Sequence, residues 1–285
     1  MPNKEYSIQD GQVVRTVEAV IPATSSAASY GDGCFETLRS YSGIFLAFGR
    51  HMDRLKSSMR YLGMTIPRHF TQSYFEEETA RLLKLNSLEK TDARIRLQIW
   101  RLGALGYRTI ETDTISFLLT ASPIRQNKGP VRLASVDQLR IPSAALQSRY
   151  KLSNGLNYIL ARREAGSRGY DDALMLDYRD HISETTIANI FWKRGDVVYT
   201  PSDHCDLLPG ITRELQLEWL HKKKEISVQV GQFGLGQLLQ AEAVWLTNSV
   251  QEVMPVSEIN DTSFGTGDPL LAELKEAYRE MIDHA

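Results

Sequence analysis

Residues 93–101 alternate strictly, with Arg94, Arg96, Gln98 and Trp100 facing one way and Ile95, Leu97 and Ile99 the other. A period of two is the mark of a strand with one face packed on a core. A strand of this kind needs other strands beside it and a layer over its apolar face. The same pattern occurs upstream in Tyr30-Gly-Asp-Gly-Cys-Phe-Glu-Thr-Leu-Arg39. Gly31 and Gly33 around Asp32 mark a tight turn. The strand that follows puts Phe35, Thr37 and Arg39 on one face and Cys34, Glu36 and Leu38 on the other. Tyr41-Ser-Gly43 turns the chain back, and Ile44–Phe48 supplies a hairpin partner. Two helical segments lie between the alternating strands. One spans Arg50–Gly63, with Met52, Leu55, Met59 and Leu62 as its apolar stripe and Arg54, Ser58 and Tyr61 on a neighbouring face; the other spans Ser73–Leu85. Thr114–Thr120 alternates again. Residues 1–121 are therefore expected to form a small α+β domain.

The polar run Ser122-Pro-Ile-Arg-Gln-Asn-Lys-Gly-Pro130 reads as an interdomain linker. A larger α+β domain is expected over 131–285. Val131–Leu139 opens it as a strand, and the stretch beginning at Lys151 follows. Leu152, Leu156, Ile159 and Leu160 recur at helical spacing, with Gly166 and Gly169 as stop signals. This pattern places Lys151 at the entry of an amphipathic helix, where a loop delivers its side chain into a cleft. A strand at Ala173–Leu176 and a hairpin through Lys193-Arg-Gly-Asp196 come next. Leu207-Leu-Pro-Gly210-Ile211-Thr212 then opens a helix with Thr212 as its expected N-cap. Ala243–Leu246 reads as a strand, and Asp268–Ala285 as a closing helix.

The chain has 285 residues, 42% of them hydrophobic and 24% charged, with a formal net charge of −2. Such a balance carries no basic stripe for a nucleic acid and no membrane-binding face. The one lysine run, Lys222-Lys223-Lys224, is balanced by Glu218 and Glu225. Cys34 and Cys205 make neither a disulfide framework nor a metal spacing. No apolar stretch is long enough to span a bilayer, and the N-terminus lacks the core of a signal peptide. A reducing, cytoplasmic home is expected.

Three scattered features suggest chemistry. A helix N-terminus preceded by glycine, as in Gly210-Ile211-Thr212, exposes amides and a positive dipole end suited to a phosphate. Thr247 and Ser249 can add hydroxyls, and Arg54 a bidentate fork. A lysine near a phosphate site raises the idea of a Schiff base with pyridoxal phosphate. That cofactor takes a charged partner at its pyridine nitrogen, for which Glu184 is the candidate. Arg94 and Arg96 share a strand face and are either solvated or directed at an anionic ligand.

These stretches resemble the class IV aminotransferases, the fold-type IV pyridoxal-phosphate enzymes. That family includes branched-chain and D-amino-acid aminotransferases and 4-amino-4-deoxychorismate lyase. The matching motifs are Tyr30-Gly-Asp-Gly-Cys-Phe-Glu36, His51-Met-Asp-Arg54-Leu, Lys151 with Asn154 and Glu164-Ala165, Glu184 with Asn189-Ile-Phe191, Gly210-Ile-Thr-Arg213, and Thr247-Asn-Ser249-Val250 with Glu252-Val-Met-Pro255-Val256. Each is weak alone; together, in family order, they span residues 30–256. The resemblance implies two α+β domains with pyridoxal 5′-phosphate between them. Lys151 would form the Schiff base and shuttle the proton, and Glu184 would pair with the pyridine nitrogen. Arg54, the Gly210-Ile211-Thr212 turn, Ser249 and Val250 would hold the phosphate. Asn154 belongs to the cofactor-side motif, and Tyr30 with Arg96 or Arg101 would line the substrate pocket. The resemblance also implies a homodimer with shared active sites.

The implied reaction is amino transfer between an amino acid and a 2-oxo acid. The alternative is the lyase reaction giving p-aminobenzoate and pyruvate. A non-catalytic homologue acting as a binding subunit is a third reading, opposed by the intact Lys151, Glu184, Arg54 and Gly210-Ile-Thr212. Departures bear on the choice. Branched-chain enzymes carry a tyrosine five residues after the lysine, where this chain has Leu156. The second basic residue of the D-amino-acid pattern is missing after Arg101. Phe35-Glu-Thr37-Leu-Arg39, Gly106-Tyr107 and Ala188-Asn-Ile-Phe-Trp192 resemble the lyase, in which a threonine matching Thr37 is thought to assist proton transfer.

Overall fold

The computed structural model of the chain describes residues 5–103, 107, 114–124 and 129–285. Residues 125–128 of the expected linker, and 104–106 and 108 of the loop after Arg101, lie outside the described residues, as does the first stretch of the N-terminus.

The chain divides into two compact units. The first comprises Met1–Arg125 with Tyr150–Asn154 and Ala285; the second comprises Gln126–Arg149 with Gly155–His284. Lys151 thus belongs with the first unit, whereas the sequence places it within the second of its two domains.

In the first unit the elements in order are β1 (Tyr6–Gln9), β2 (Gln12–Arg15), α1 (Ser26–Tyr30), β3 (Gly33–Tyr41), β4 (Ile44–Phe45), α2 (Phe48–Tyr61), α3 (Gln72–Leu85), β5 (Ala93–Arg101) and β6 (Ile115–Pro123). The strands form one antiparallel sheet in the order β2-β1-β6-β5-β3-β4. Both alternating strands sit at its centre, paired with Gly33 opposite Trp100 and Thr37 opposite Arg96. Cys34, Leu38, Ile95, Leu97 and Ile99 are buried in one core with Met52, Leu55 and Met59 of α2 and Phe75 and Leu82 of α3. One sheet face is thereby closed by two helices, and the other carries Phe35, Thr37 and Arg96. Gly33 permits the close approach of β5: a Cβ there would stand 2.6 Å from the Ile99 carbonyl oxygen.

The second unit contains β7 (Val131–Ser135), α4 (Leu156–Ser167), β8 (Asp172–Leu176), β9 (Ile182–Thr185), β10 (Asn189–Arg194), β11 (Val197–Pro201), α5 (Ile211–Leu220), β12 (Ser227–Gly231), α6 (Leu235–Leu238), β13 (Ala243–Asn248), β14 (Glu252–Ile259), β15 (Thr262–Ser263) and α7 (Pro269–Asp283). Its mixed sheet runs β12-β11-β10-β13-β14-β7-β8-β9, with β15 on β14. Leu270, Leu271 and Leu274 of α7 pack with Phe191 and Trp245. Asp268 caps α7 by accepting from the Leu270 amide, and Pro269 fits its first turn.

Two local expectations change, and one helix face is exposed. The helix after Lys151 begins only at Leu156, with Gly155 as N-cap. Lys151 lies upstream in an extended run, where Leu152 bridges Cys34, because the backbone pairs with β3 rather than with its own next turn. The apolar stripe of that helix does not face the core of the unit. Leu156, Ile159 and Leu160 are 63%, 50% and 41% exposed, while the narrow stripe of Ala161 and Ala165 packs on β7 and β8. Finally, α5 is capped by Gly210, and Thr212 lies inside its first turn, 1% exposed.

Candidate functional site

Within the first unit, Lys151 is held from two sides. Its carbonyl accepts a hydrogen bond from the Phe35 amide at 3.0 Å, and its amide donates to Ser58 Oγ at 3.3 Å. Ser58 Oγ in turn donates to the Arg54 carbonyl. The lysine backbone is therefore fixed to β3 and to the α2 face that carries Arg54. Lys151 Nζ sits 4.8 Å from the centroid of the Phe35 ring, and the Arg96 guanidinium lies 3.8 Å over the same ring. Cation–π attraction holds both cations against one aromatic ring. Burial, with Arg94 nearby, lowers the Arg96 pKa to about 10, which leaves it charged at neutral pH. Arg96 forms no ion pair among the described residues. Arg101 differs: its Nε donates to Asp32 Oδ2 at 3.0 Å and its Nη2 to the Leu62 carbonyl at 2.6 Å. Tyr30 is 46% exposed and packs against Tyr107 at 5.0 Å between ring centroids. Asn154 lies against Gly31, whose left-handed φ of 70° turns the chain into β3.

Arg54 is fixed by a buried carboxylate. Its Nε donates to Glu36 Oε1 at 2.7 Å and its Nη2 to Glu36 Oε2 at 2.8 Å. His51 Nδ1 lies 2.8 Å from the same Oε2. Burial alone would raise the Glu36 carboxyl, but the Arg54 charge and hydrogen bonds, with His51, hold it down at about 2. Burial lowers the His51 pKa in spite of Glu36, so its ring is neutral. The linkage is signed. The unfolded carboxyl takes up its proton near the ordinary 4.5, the folded one only near 2. Stability from this contact is full above the ordinary value and is lost as pH falls towards 2. Thermal melting followed from pH 6 to pH 2 is expected to show an acid-side fall that Glu36→Gln flattens.

In the second unit, the Glu184 carboxylate is 4% exposed. Tyr158 Oη donates to its Oε1 at 2.8 Å, and Arg140 Nε is 3.2 Å from the same oxygen. The Leu208 amide and Asn189 Nδ2 donate to its Oε2 at 3.2 and 3.3 Å. Burial, with the Glu184 charge, raises the Tyr158 phenol well above its ordinary pKa, so it remains a donor. At the start of α5, Thr212 Oγ1 lies 3.4 Å from Ser249 Oγ. The first amides of a helix lack intrahelical acceptors. The buried Thr247 Oγ1 has no hydrogen-bond partner among the described residues. The Val250 amide donates to Asn248 Oδ1 at 2.9 Å, shaping the turn that presents Ser249. Hydroxyls, a helix N-terminus and a partnerless buried hydroxyl form a donor set suited to a phosphate.

The structure thus brings Lys151, Phe35 and Arg96 together in one unit, and Gly210, Thr212 and Ser249 in the other. Glu36, His51, Tyr158 and Arg140 are functional neighbours that sequence reasoning did not assign. For Glu36 a signal existed: a charge on the buried face of an alternating strand demands a partner. Arg140 and Tyr158 reach Glu184 from distant positions, and no local pattern marks them.

The family model described as amino-transferase class IV matches residues 33–259. The chain is 30% identical over 277 residues to a putative branched-chain-amino-acid aminotransferase of Methanocaldococcus jannaschii, covering 95% of this chain and 94% of that protein. It is 29% identical over 263 residues to the aminodeoxychorismate lyase of Bacillus subtilis, covering 90% and 87%. Among solved structures, the T.th. branched-chain amino acid aminotransferase complexed with N-(5′-phosphopyridoxyl)-L-glutamate superposes with a TM-score of 0.88 at 28% identity, covering 99% and 95%. The chain is a member of the class IV aminotransferase family, with its fold-type IV architecture. No described helix is long and apolar enough to cross a membrane.

Proposed function

We propose that the chain is a pyridoxal-phosphate-dependent aminotransferase that moves an amino group between an amino acid and a 2-oxo acid. The observation that carries this reading is Lys151, anchored by its backbone to β3 and α2 with its amine over the Phe35 ring that Arg96 also contacts. Family membership and the phosphopyridoxyl-glutamate complex of the branched-chain relative support it. When bound, pyridoxal phosphate supplies the aldehyde that takes up the amino group and a ring that accepts electrons from the substrate α-carbon.

The protein's own residues have the following roles. Lys151 would hold the cofactor through its amine, and the same amine would carry the proton at the substrate α-carbon. Glu184, held by Tyr158, Arg140, Asn189 and the Leu208 amide, would pair with the ring nitrogen. Gly210 leaves space for Asn189 Oδ1 at the α5 N-terminus, where Ile211, Thr212, Ser249 and Val250 would hold a phosphate; Arg54, fixed by Glu36, would offer a guanidinium suited to a phosphate. Arg96, charged and without an acidic partner among the described residues, would take a substrate carboxylate. Tyr30 and Arg101 border the substrate, Arg101 by fixing Asp32 at the turn into β3, and Asn154 shapes the same turn.

A second reading has its own support. Thr37 stands opposite Arg96 in the sheet register, on the face that carries Phe35, and the Bacillus subtilis relative is an aminodeoxychorismate lyase. In that reading Thr37 assists proton transfer and the products are p-aminobenzoate and pyruvate. A product assay separates the two. Amino transfer that requires a 2-oxo acid supports the aminotransferase; p-aminobenzoate released without one supports the lyase.

The working form is a cytoplasmic homodimer. Its support is the exposed face of α4, where Leu156, Ile159 and Leu160 form an apolar stripe on one side of the helix, with Ile187 also 57% exposed. Apolar side chains at helical spacing are covered in the native assembly when their own unit leaves them bare. A second copy of the chain is the proposed cover. Ile159→Asp is expected to shift the protein from dimer to monomer in sedimentation experiments, and an unchanged dimer would exclude this face.

A further inference from the structure

Asn189 belongs to a family motif, yet the roles above leave it without a task. It opens β10, is 4% exposed, and pairs through its backbone with Thr247 of β13. Its side chain touches both ends of the candidate apparatus in this unit. Nδ2 donates to the Leu208 carbonyl at 2.9 Å and to Glu184 Oε2 at 3.3 Å. The Leu208 amide returns a hydrogen bond to the same Glu184 oxygen at 3.2 Å. On the other side, Oδ1 occupies the space a side chain at Gly210 would need: a Cβ there would stand 2.1 Å from it. Gly210 is the N-cap of α5, two residues before Thr212.

We propose that Asn189 is a positioning residue that couples the Glu184 carboxylate to the N-terminus of α5. One buried amide thereby sets both the partner of the ring nitrogen and the groups that hold the phosphate. The glycine follows from the same geometry. At 2.1 Å an added methyl and Oδ1 cannot coexist. Asn189 is hydrogen-bonded on its far side and its backbone is in the sheet, so its amide would have to turn. Turning withdraws Nδ2 from Glu184. A change at the phosphate end is then felt at the ring end, and by linkage the reverse holds as well.

The inference rests on the proposed roles of Glu184 and of the α5 N-terminus. Its test uses the holoenzyme loaded with pyridoxal 5′-phosphate labelled with ¹⁵N in the ring. The ¹⁵N resonance reports the ring nitrogen and the ³¹P resonance reports the phosphate, both without turnover. Gly210→Ala is expected to move the ¹⁵N resonance part of the way to its position in Glu184→Gln. Glu184→Gln is expected to move the ³¹P resonance. In an Asn189→Ala background both cross-effects should disappear. Cross-effects that persist there overturn the inference while leaving the function standing. If Asn189→Ala does not fold, Gly210→Ala alone decides, since an unmoved ¹⁵N resonance overturns the coupling. If Glu184→Gln leaves the ¹⁵N resonance in place, the Glu184 assignment fails and takes the inference with it.

Discussion

Lys151→Ala is expected to abolish amino transfer, lowering kcat by about 10³-fold or more, and to remove the long-wavelength absorbance of the loaded protein. The size follows from the two roles given to one amine, as covalent anchor and as proton carrier. Positioned acid–base groups alone contribute about 10²–10⁴-fold. Folding should be little affected. The backbone amide and carbonyl that dock the segment on Ser58 and Phe35 remain in the variant. The losses include the contact of the amine with the Phe35 ring, about 0.5–1 kcal/mol for a partly exposed cation. An absorbance scan, a melting curve and a rate assay on one preparation check all three. Substantial activity in Lys151→Ala would remove the basis of the proposed function.

Glu184→Gln carries the second largest effect. The substitution keeps the side-chain volume but removes the charge that would face a ring nitrogen. Transition-state stabilisation by one preorganised group is worth about 10²–10³-fold, and a loss of kcat in that range is expected. The variant also leaves the buried Arg140 without its acidic partner, since Arg140 Nε is 3.2 Å from Glu184 Oε1 and only 5% exposed. An incompletely satisfied buried polar group costs about 1–3 kcal/mol, so a lowered melting temperature is expected along with the loss of rate. Tyr158→Phe provides the contrast. It removes one neutral donor at 2.8 Å and leaves the carboxylate and Arg140 in place. Its effect on kcat should be the smaller of the two. A larger effect in Tyr158→Phe would mean that the phenol, and not the carboxylate, performs the chemistry.

The first unit was largely legible in the sequence because its determinants are local. Strict alternation placed Phe35, Thr37 and Arg96 on the open sheet face and Leu38, Ile95 and Leu97 in the core, where the structure has them. The stripe of Met52, Leu55 and Met59 did the same for α2. The stretch after Lys151 was less legible for a physical reason. Periodicity at Leu156, Ile159 and Leu160 says that a helix face is apolar, not what covers it, and the unit's own sheet takes the Ala161–Ala165 side instead. Hydrogen bonding of Lys151 to β3 is likewise a long-range contact with no signal in neighbouring residues. The residues around Glu184 show the same limit. Glu184 could be named from its motif, whereas Arg140 and Tyr158 reach it only through the fold. At α5, the local pattern favours Thr212 as the cap, yet it lies inside the first turn. The cap is Gly210, because Asn189 Oδ1 fills the space where a side chain would sit.

The central claim, that Lys151 carries the cofactor, is tested most directly by borohydride reduction of the loaded protein followed by peptide mass mapping. A phosphopyridoxyl label is expected on the peptide containing Lys151, with its loss in Lys151→Ala. A label on another lysine, or no label on a protein saturated with pyridoxal 5′-phosphate, would contradict it.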